Sequence, residues 1–163
     1  MATNVAIAPL TAAADVERAF AFDVDLVDAF RQRVDFGIPG VPPLDVDEPP
    51  PLGTLGGPNP ARLLGAALAS CLGASLLFCL GRARITVHGL HTSVEGSMTR
   101  NERGRLRVGR IRVRLDPVIA VEDQPRMARC LEVFEDFCVV TASVRPSVPV
   151  DVQVTPVAPT GAG

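Results

Sequence analysis

Four cysteines, Cys71, Cys79, Cys130 and Cys138, are the residues of this sequence best suited to covalent chemistry. A thiolate is a nucleophile, and two thiols in contact can surrender two electrons as a disulfide. Any one of them alone also reads as a small buried hydrophobe. Spacing sorts the set. Cys71 and Cys79 are eight residues apart in one apolar run, which on a helix puts their Cα atoms roughly 12 Å apart. A disulfide needs Cα atoms within about 7 Å, so these two cannot pair. Cys130 and Cys138 meet the same objection if their own helix continues that far. A pairing has to join one run to the other.

Other chemistries find less support. There is no C-x-x-C, and the only histidines, His88 and His91, are three apart on an expected strand and face opposite ways. No metal and no cofactor are expected. No G-x-S-x-G elbow marks a serine nucleophile. Lysine is absent, so all sixteen basic residues are arginine, which excludes Schiff-base and P-loop lysine mechanisms. A net charge of −2 provides no global field toward nucleic acid or an anionic membrane. Arg105, Arg107, Arg110, Arg112 and Arg114 lack interleaved aromatics and read as the solvated face of a sheet, so no nucleic acid is expected as a partner. Four cysteines in 163 residues are too sparse for a disulfide scaffold.

The elements that position the thiols can be read along the chain. Length implies one domain. Residues 1–15 read as a loose cytoplasmic start, with no basic flank and with Asp15 and Glu17 close behind; 158–163 read as a flexible tail. Residues 16–36 fit either a strand, through Phe20, Phe22, Val24 and Leu26, or a helix, through Val16, Phe20, Asp23, Val27 and Phe30. RQRVDF is a strand candidate. The passage from Gly37 to Pro60 is too rich in Pro and Gly for a helix or an inner strand. Asn59 then caps, and Pro60 opens, a helix that is uncharged from Leu63 to Leu80 and stops at Gly81, Arg82 and Arg84. Its length would span a bilayer, but Gly, Ala, Ser and Cys on all sides suit a helix gripped by protein, so no membrane is expected.

ITVHGLHTSVEGSM and RLRVGRIRVRLDPV form a hairpin around RNERGR. Leu106 and Val108 fall one residue out of phase with Ile111, Val113 and Leu115, which predicts a bulge at Gly109. Pro125 opens a second helix, RMARCLEVFEDF. CVVTASV and VPVDVQVTPV follow as strands. The fold class is α+β.

GGPNPARLLGAALASCLGASL resembles the motif of the OsmC/Ohr family of osmotically inducible and organic-hydroperoxide-resistance proteins. There a Gly-x-Asn-Pro turn starts the central helix, and the reactive cysteine follows twelve residues after the Asn, as Cys71 follows Asn59. FEDFCVVTASVRPSVPVDVQV resembles the second motif, in which a cysteine leaves a helix and enters a strand, and DEPPPLG resembles one branch's lead-in. The resemblance covers roughly residues 30–155. It implies a single OsmC-like domain over 16–157 and an intertwined homodimer, its central helices wrapped by antiparallel sheets.

The resemblance further implies reduction of organic hydroperoxides by Cys71, with Cys138 as the partner thiol and an external dithiol, often a lipoylated protein, as reductant. The family's thiolate is held by an Arg from the early strands, itself held by a Glu directly after the Asn-Pro. Here that position is Ala61. Arg31 and Arg33 are the candidates for the Arg, Asp47 and Glu48 for the carboxylate. The alternative is a non-catalytic dimer of the same fold that binds a small apolar ligand or senses oxidants through Cys71. Cys79 and Cys130 read as packing, with a second cross-helix pair as the other option.

Overall fold

The computed structural model describes residues 19–159. They fall into two compact units that divide between Asn59 and Pro60. The expected loose start at 1–15, the first residues of the ambiguous stretch and residues 160–163 of the tail lie outside the described residues.

The first unit is a three-stranded antiparallel sheet in the order β1 (Asp23–Asp28), β2 (Arg31–Asp35), β3 (Leu44–Val46). The described part of the ambiguous stretch is strand over 23–28 and 31–35, while Phe20 and Phe22 precede the first strand. Asp28 pairs with Arg31 across the two-residue turn Ala29–Phe30, and Ala29 takes a left-handed φ of 44° to make it. A helix through Phe30 cannot coexist with that turn. RQRVDF forms β2 as expected. The Pro/Gly-rich passage contributes only the three residues of β3, at the sheet edge, where missing ladder donors are tolerated.

Beyond β3 the chain is organised by one carboxylate. Asp47 is buried and accepts the backbone N–H groups of Glu48 (2.8 Å), Thr54 (2.9 Å) and Gly56 (2.9 Å) and the Thr54 hydroxyl (2.9 Å). Donors led by the Gly56 and Thr54 N–H groups stabilise the charge and hold its pKa at about 2. The loop packs so tightly that a Cβ on Gly57 would collide with the Asp45 carbonyl oxygen.

The second unit is built on α1 (Pro60–Arg82), which starts at the expected proline. Leu68, Leu72, Leu76 and Leu80 recur every fourth residue as one fully buried stripe. At about 1.5–3 kcal/mol for each buried leucine, this stripe is the main apolar contribution of the helix. The helix meets the length and composition of a membrane span, but its leucines are the core of this unit. It stops within the expected stretch of Gly81, Arg82 and Arg84. Gly81 stays helical, and Arg84 takes the left-handed turn at φ 56°. Arg84 N–H bonds to Gly81 O (3.0 Å) and Ile85 N–H to Leu80 O (3.0 Å), the paired bonds of a Schellman stop, with Ile85 buried behind them.

The hairpin is β4 (Gly89–Arg100) with β5 (Leu106–Val118), antiparallel. Ser97 pairs with Arg110 and Met98 with Val108, so Gly109 is the extra residue of the predicted bulge. A Cβ there would press to 3.2 Å on Thr99. Past the bulge Ile111, Val113 and Leu115 are buried. Arg110, Arg112 and Arg114 lie on the opposite, exposed face, paired with Asp151 (2.8 Å), Glu95 (3.0 Å) and Asp116 (2.9 Å).

Two expectations fail after the hairpin. The helix expected to open at Pro125 is three short pieces: a 3₁₀ segment Val121–Met127 with Pro125 inside it, α2 (Ala128–Val133), and a 3₁₀ turn Phe134–Phe137. Its core face is as spaced, since Met127, Cys130 and Phe134 are all buried. CVVTASV, expected as a strand, supplies α3 (Val139–Val144). Its β-branched residues favour a strand only weakly, and two local facts outweigh them. Cys138 caps the helix, its sulfur accepting Thr141 N–H at 3.4 Å, and Thr141 is buried where α3 packs on α1. The helical excursion is also what lets β6 (Val150–Val154) return parallel to β5, since parallel strands need a crossover. The second sheet thus runs β4-β5-β6.

Candidate thiol site

Cys71 sits mid-way along α1, half-buried on the edge of its core face. Cys138 sits where the 3₁₀ turn gives way to α3, with an extended backbone (φ −86°, ψ 93°) and a fully buried side chain. The break at Cys138 turns its sulfur toward α1. Cys71 and Cys138 are hydrogen-bonding neighbours, and the backbone N–H groups of Val139 and Val140 also reach the Cys71 sulfur.

The electrostatics of Cys71 follow from these contacts. Burial raises its pKa above the ordinary thiol value, and the neighbouring Cys138 sulfur raises it further; the two N–H groups oppose the rise without reversing it. Cys138 donates its S–H to the Thr141 hydroxyl at 3.0 Å.

The second cross-element contact pairs the other two thiols. Cys79 Sγ lies 3.9 Å from the Cys130 carbonyl oxygen as donor, and the Cys130 thiol is hydrogen-bonded to Cys79. Burial, then the Cys79 contact, push Cys130 up to about 11. Both contacts join α1 to the segment after the hairpin, as spacing on α1 requires of Cys71 and Cys79; the helix does not run from Cys130 to Cys138, so helix spacing does not decide for that pair.

The thiolate-holding candidates belong to the first unit. Arg33 is engaged as a fork by Asp45, its Nε at 2.7 Å and an Nη at 3.1 Å, which raises the arginine's pKa and lowers the aspartate's. Arg31 pairs with Asp28 through an Nη, while its Nε is buried and, among the described residues, without a partner. Asp47 is committed to its own loop, and half-buried Glu48 gives it a backbone N–H.

Sequence reasoning missed Thr141 and the Val139 and Val140 N–H groups, because their segment read as strand. The signal was Cys-x-x-Thr, a capping residue followed three positions later by a polar partner. It also missed Asp47 as a loop organiser, although Asp before Pro, Gly and Thr is a turn signal. Two cavities, of about 430 and 200 Å³, lie on the arginine-bearing hairpin and are lined by no cysteine.

The family model of the OsmC-like proteins matches residues 53–153, more than half of the chain and all four cysteines. The chain belongs to the OsmC-like protein family. Solved structures of OsmC-like proteins share its fold. An OsmC-like protein from Mycoplasma pneumoniae is similar at a TM-score of 0.72 and 18% identity, over 87% of this chain and 99% of that one. OhrB of Bacillus subtilis, an organic hydroperoxide resistance protein, is similar at 0.63 and 18%, over 85% and 98%. The organic hydroperoxide resistance protein OsmC from Legionella pneumophila gives 0.66 and 16%, over 86% and 98%. At these identities the likeness is one of fold. No curated protein matches the chain by sequence.

Proposed function

We propose that this OsmC-like protein is a cysteine-based peroxidase of organic hydroperoxides, with Cys71 as the attacking and Cys138 as the resolving thiol. The observation that carries it is the contact of two thiols from separate elements, one half-buried and reachable, the other fully buried behind it. The Cys71 thiolate attacks the distal peroxide oxygen, the O–O bond breaks, and the alcohol leaves with a proton. Cys138 then attacks the sulfenic sulfur, the S–O bond breaks, and water leaves. Two electrons pass from the two thiols to one hydroperoxide. An external dithiol, with a lipoylated protein as the family's usual choice, resets the pair. Val139 and Val140 N–H groups aimed at Cys71 support the thiolate during attack.

Between the two arginine candidates the contacts favour Arg31. One edge of the Arg33 guanidinium, its Nε and an Nη, is occupied by Asp45, whereas the Nε–H of Arg31 is buried and, among the described residues, without a partner. The protein acts as a cytoplasmic homodimer on this reading. Ala66, Ser70, Ala74, Leu77 and Phe78 line an exposed, uncharged side of α1, the kind of stripe a second copy covers.

Ala61 and the raised pKa of Cys71 favour the second reading, a binding or oxidant-sensing protein without turnover. One experiment separates them. Reduced protein is given one equivalent of cumene hydroperoxide or of hydrogen peroxide, and its disulfides are mapped by non-reducing peptide mass spectrometry. A rapid Cys71–Cys138 link, faster with the organic peroxide and lost in Cys71→Ser, supports the peroxidase. A Cys71 that stays reduced at many equivalents removes it.

A further inference from the structure

The peroxidase reading uses two of the four thiols, and the other two are also in contact. Cys79 and Cys130 lie on different elements, both are buried, and Cys79 Sγ points at the Cys130 carbonyl from 3.9 Å. Two cysteines can satisfy packing anywhere in a core, but only close approach of their sulfurs allows a bond between them. Two turns of α1 separate this contact from the first one, roughly 12 Å along the axis, so the pairs cannot exchange directly. We propose that Cys79 and Cys130 are a second redox-active dithiol, which hydrogen peroxide oxidises to a disulfide tying α1 to α2.

The order of events follows from the surroundings. Cys79 is the more exposed of the two, so an entering peroxide reaches its sulfur first. Cys79 as thiolate attacks one oxygen of hydrogen peroxide, the O–O bond breaks, and the leaving hydroxide takes up the thiol proton as water. The Cys130 sulfur then attacks the Cys79 sulfur. The S–O bond breaks, and a second water leaves with the Cys130 proton. Two electrons pass from the two thiols to one peroxide. Access comes through opening of α2, a six-residue helix bounded on both sides by 3₁₀ segments. The step is slow beside that at Cys71, so the pair is filled under sustained oxidation. Once closed, the bond anchors the segment that leads to Cys138.

The test removes the first pair. Full-length protein carrying Cys71→Ser and Cys138→Ser is reduced, desalted, exposed natively to excess hydrogen peroxide, and quenched by acid and alkylation. Both remaining thiols should disappear from the count, a Cys79–Cys130 linked peptide should appear, and dithiothreitol should restore both. The same exposure after adding Cys79→Ala should leave no linked peptide. Persistence of both thiols, or their separate conversion to sulfinic acids, overturns the proposal. Because Cys71 is absent, failure of the peroxidase reading does not touch this readout. If the double variant does not fold, the unsubstituted protein is mapped after the same exposure, and absence of the Cys79–Cys130 link is the overturning result.

Discussion

Cys138 and Thr141 exchange hydrogen bonds in both directions: the Cys138 S–H donates to the Thr141 hydroxyl at 3.0 Å, and the Thr141 N–H returns one to the sulfur at 3.4 Å. The Cys138 thiol is thus held at a helix cap, and on the peroxidase reading it is aimed there by a residue that touches no peroxide. Thr141→Val keeps the backbone bond and removes the hydroxyl. We expect a stability loss of about 0.5–1.5 kcal/mol and a several-fold longer life for the Cys71 sulfenic acid, read by dimedone trapping. An unchanged trapping yield would show that Thr141 serves the cap alone.

The chain contains neither lysine nor tyrosine, so no side-chain amine or phenol titrates between pH 8.5 and 11. Burial raises both Cys71 and Cys130, the latter to about 11. A raised folded-state value means that the folded protein binds more protons than the unfolded chain above the ordinary thiol range. The stability from burying the neutral thiols is complete below about pH 8.5 and is lost as pH rises toward 11. For Cys130 the loss is on the order of 2 kcal/mol. Urea midpoints at pH 7, 9 and 10.5 should fall steeply, and Cys130→Ala should flatten the fall.

Asp47 has the opposite sign. Its folded-state pKa of about 2 lies below the ordinary carboxylate value, so its contribution is present above about pH 4 and is lost as pH falls through 2. Asp47→Asn should blunt the acid transition and open the Glu48–Gly56 loop to proteolysis at neutral pH. Equal cleavage of both proteins there would remove Asp47 from its organising role.

Gly57→Ala should be among the most damaging single substitutions in the first unit. The new methyl meets the Asp45 carbonyl oxygen, which is backbone and cannot swing aside. A loss of about 2–4 kcal/mol is expected, checked by chemical denaturation.

The first turn of α1 carries no acidic residue, and Ala61 stands in it. Ala61→Glu places a carboxylate near the helix N-terminus, where it should add about 0.3–1 kcal/mol. If the carboxylate also orients an arginine, peroxide consumption should rise several-fold. A gain in stability with no gain in rate would favour the binding or sensing protein.

The parts that were legible in the sequence are those where one local signal has no competitor. Asn-Pro before a long uncharged run located the start of α1, and a slip in alternation at a glycine located the bulge at Gly109. The contact of Cys71 with Cys138 was anticipated from the family likeness, while spacing excluded only a Cys71–Cys79 pair on α1. VVTASV was misread because its local preference for a strand is overruled by packing on α1 and by a sulfur cap, neither of which shows in its composition. The stop of α1 was legible in Gly81, Arg82 and Arg84; which of them turns left-handed was not, because glycine is the usual residue there and here Arg84 fills the position. Choosing between Arg31 and Arg33 needed the knowledge that Asp45 stands across from Arg33, a fact of strand register.

The parallel seating of β6 also orders events in time. The β4–β5 hairpin closes on itself through a short turn and can form early. Ile111 pairs with Val150 only after the whole helical excursion between them has been laid down, and that excursion carries Cys130 and Cys138. Closing so long a loop is entropically costly, so this ladder comes late in folding. On the peroxidase reading, an oxidant arriving before then meets a Cys71 with no partner, and a sulfenic acid formed there has only further oxidation or a foreign thiol ahead of it. Safe use of that thiol would then depend on a ladder that forms late.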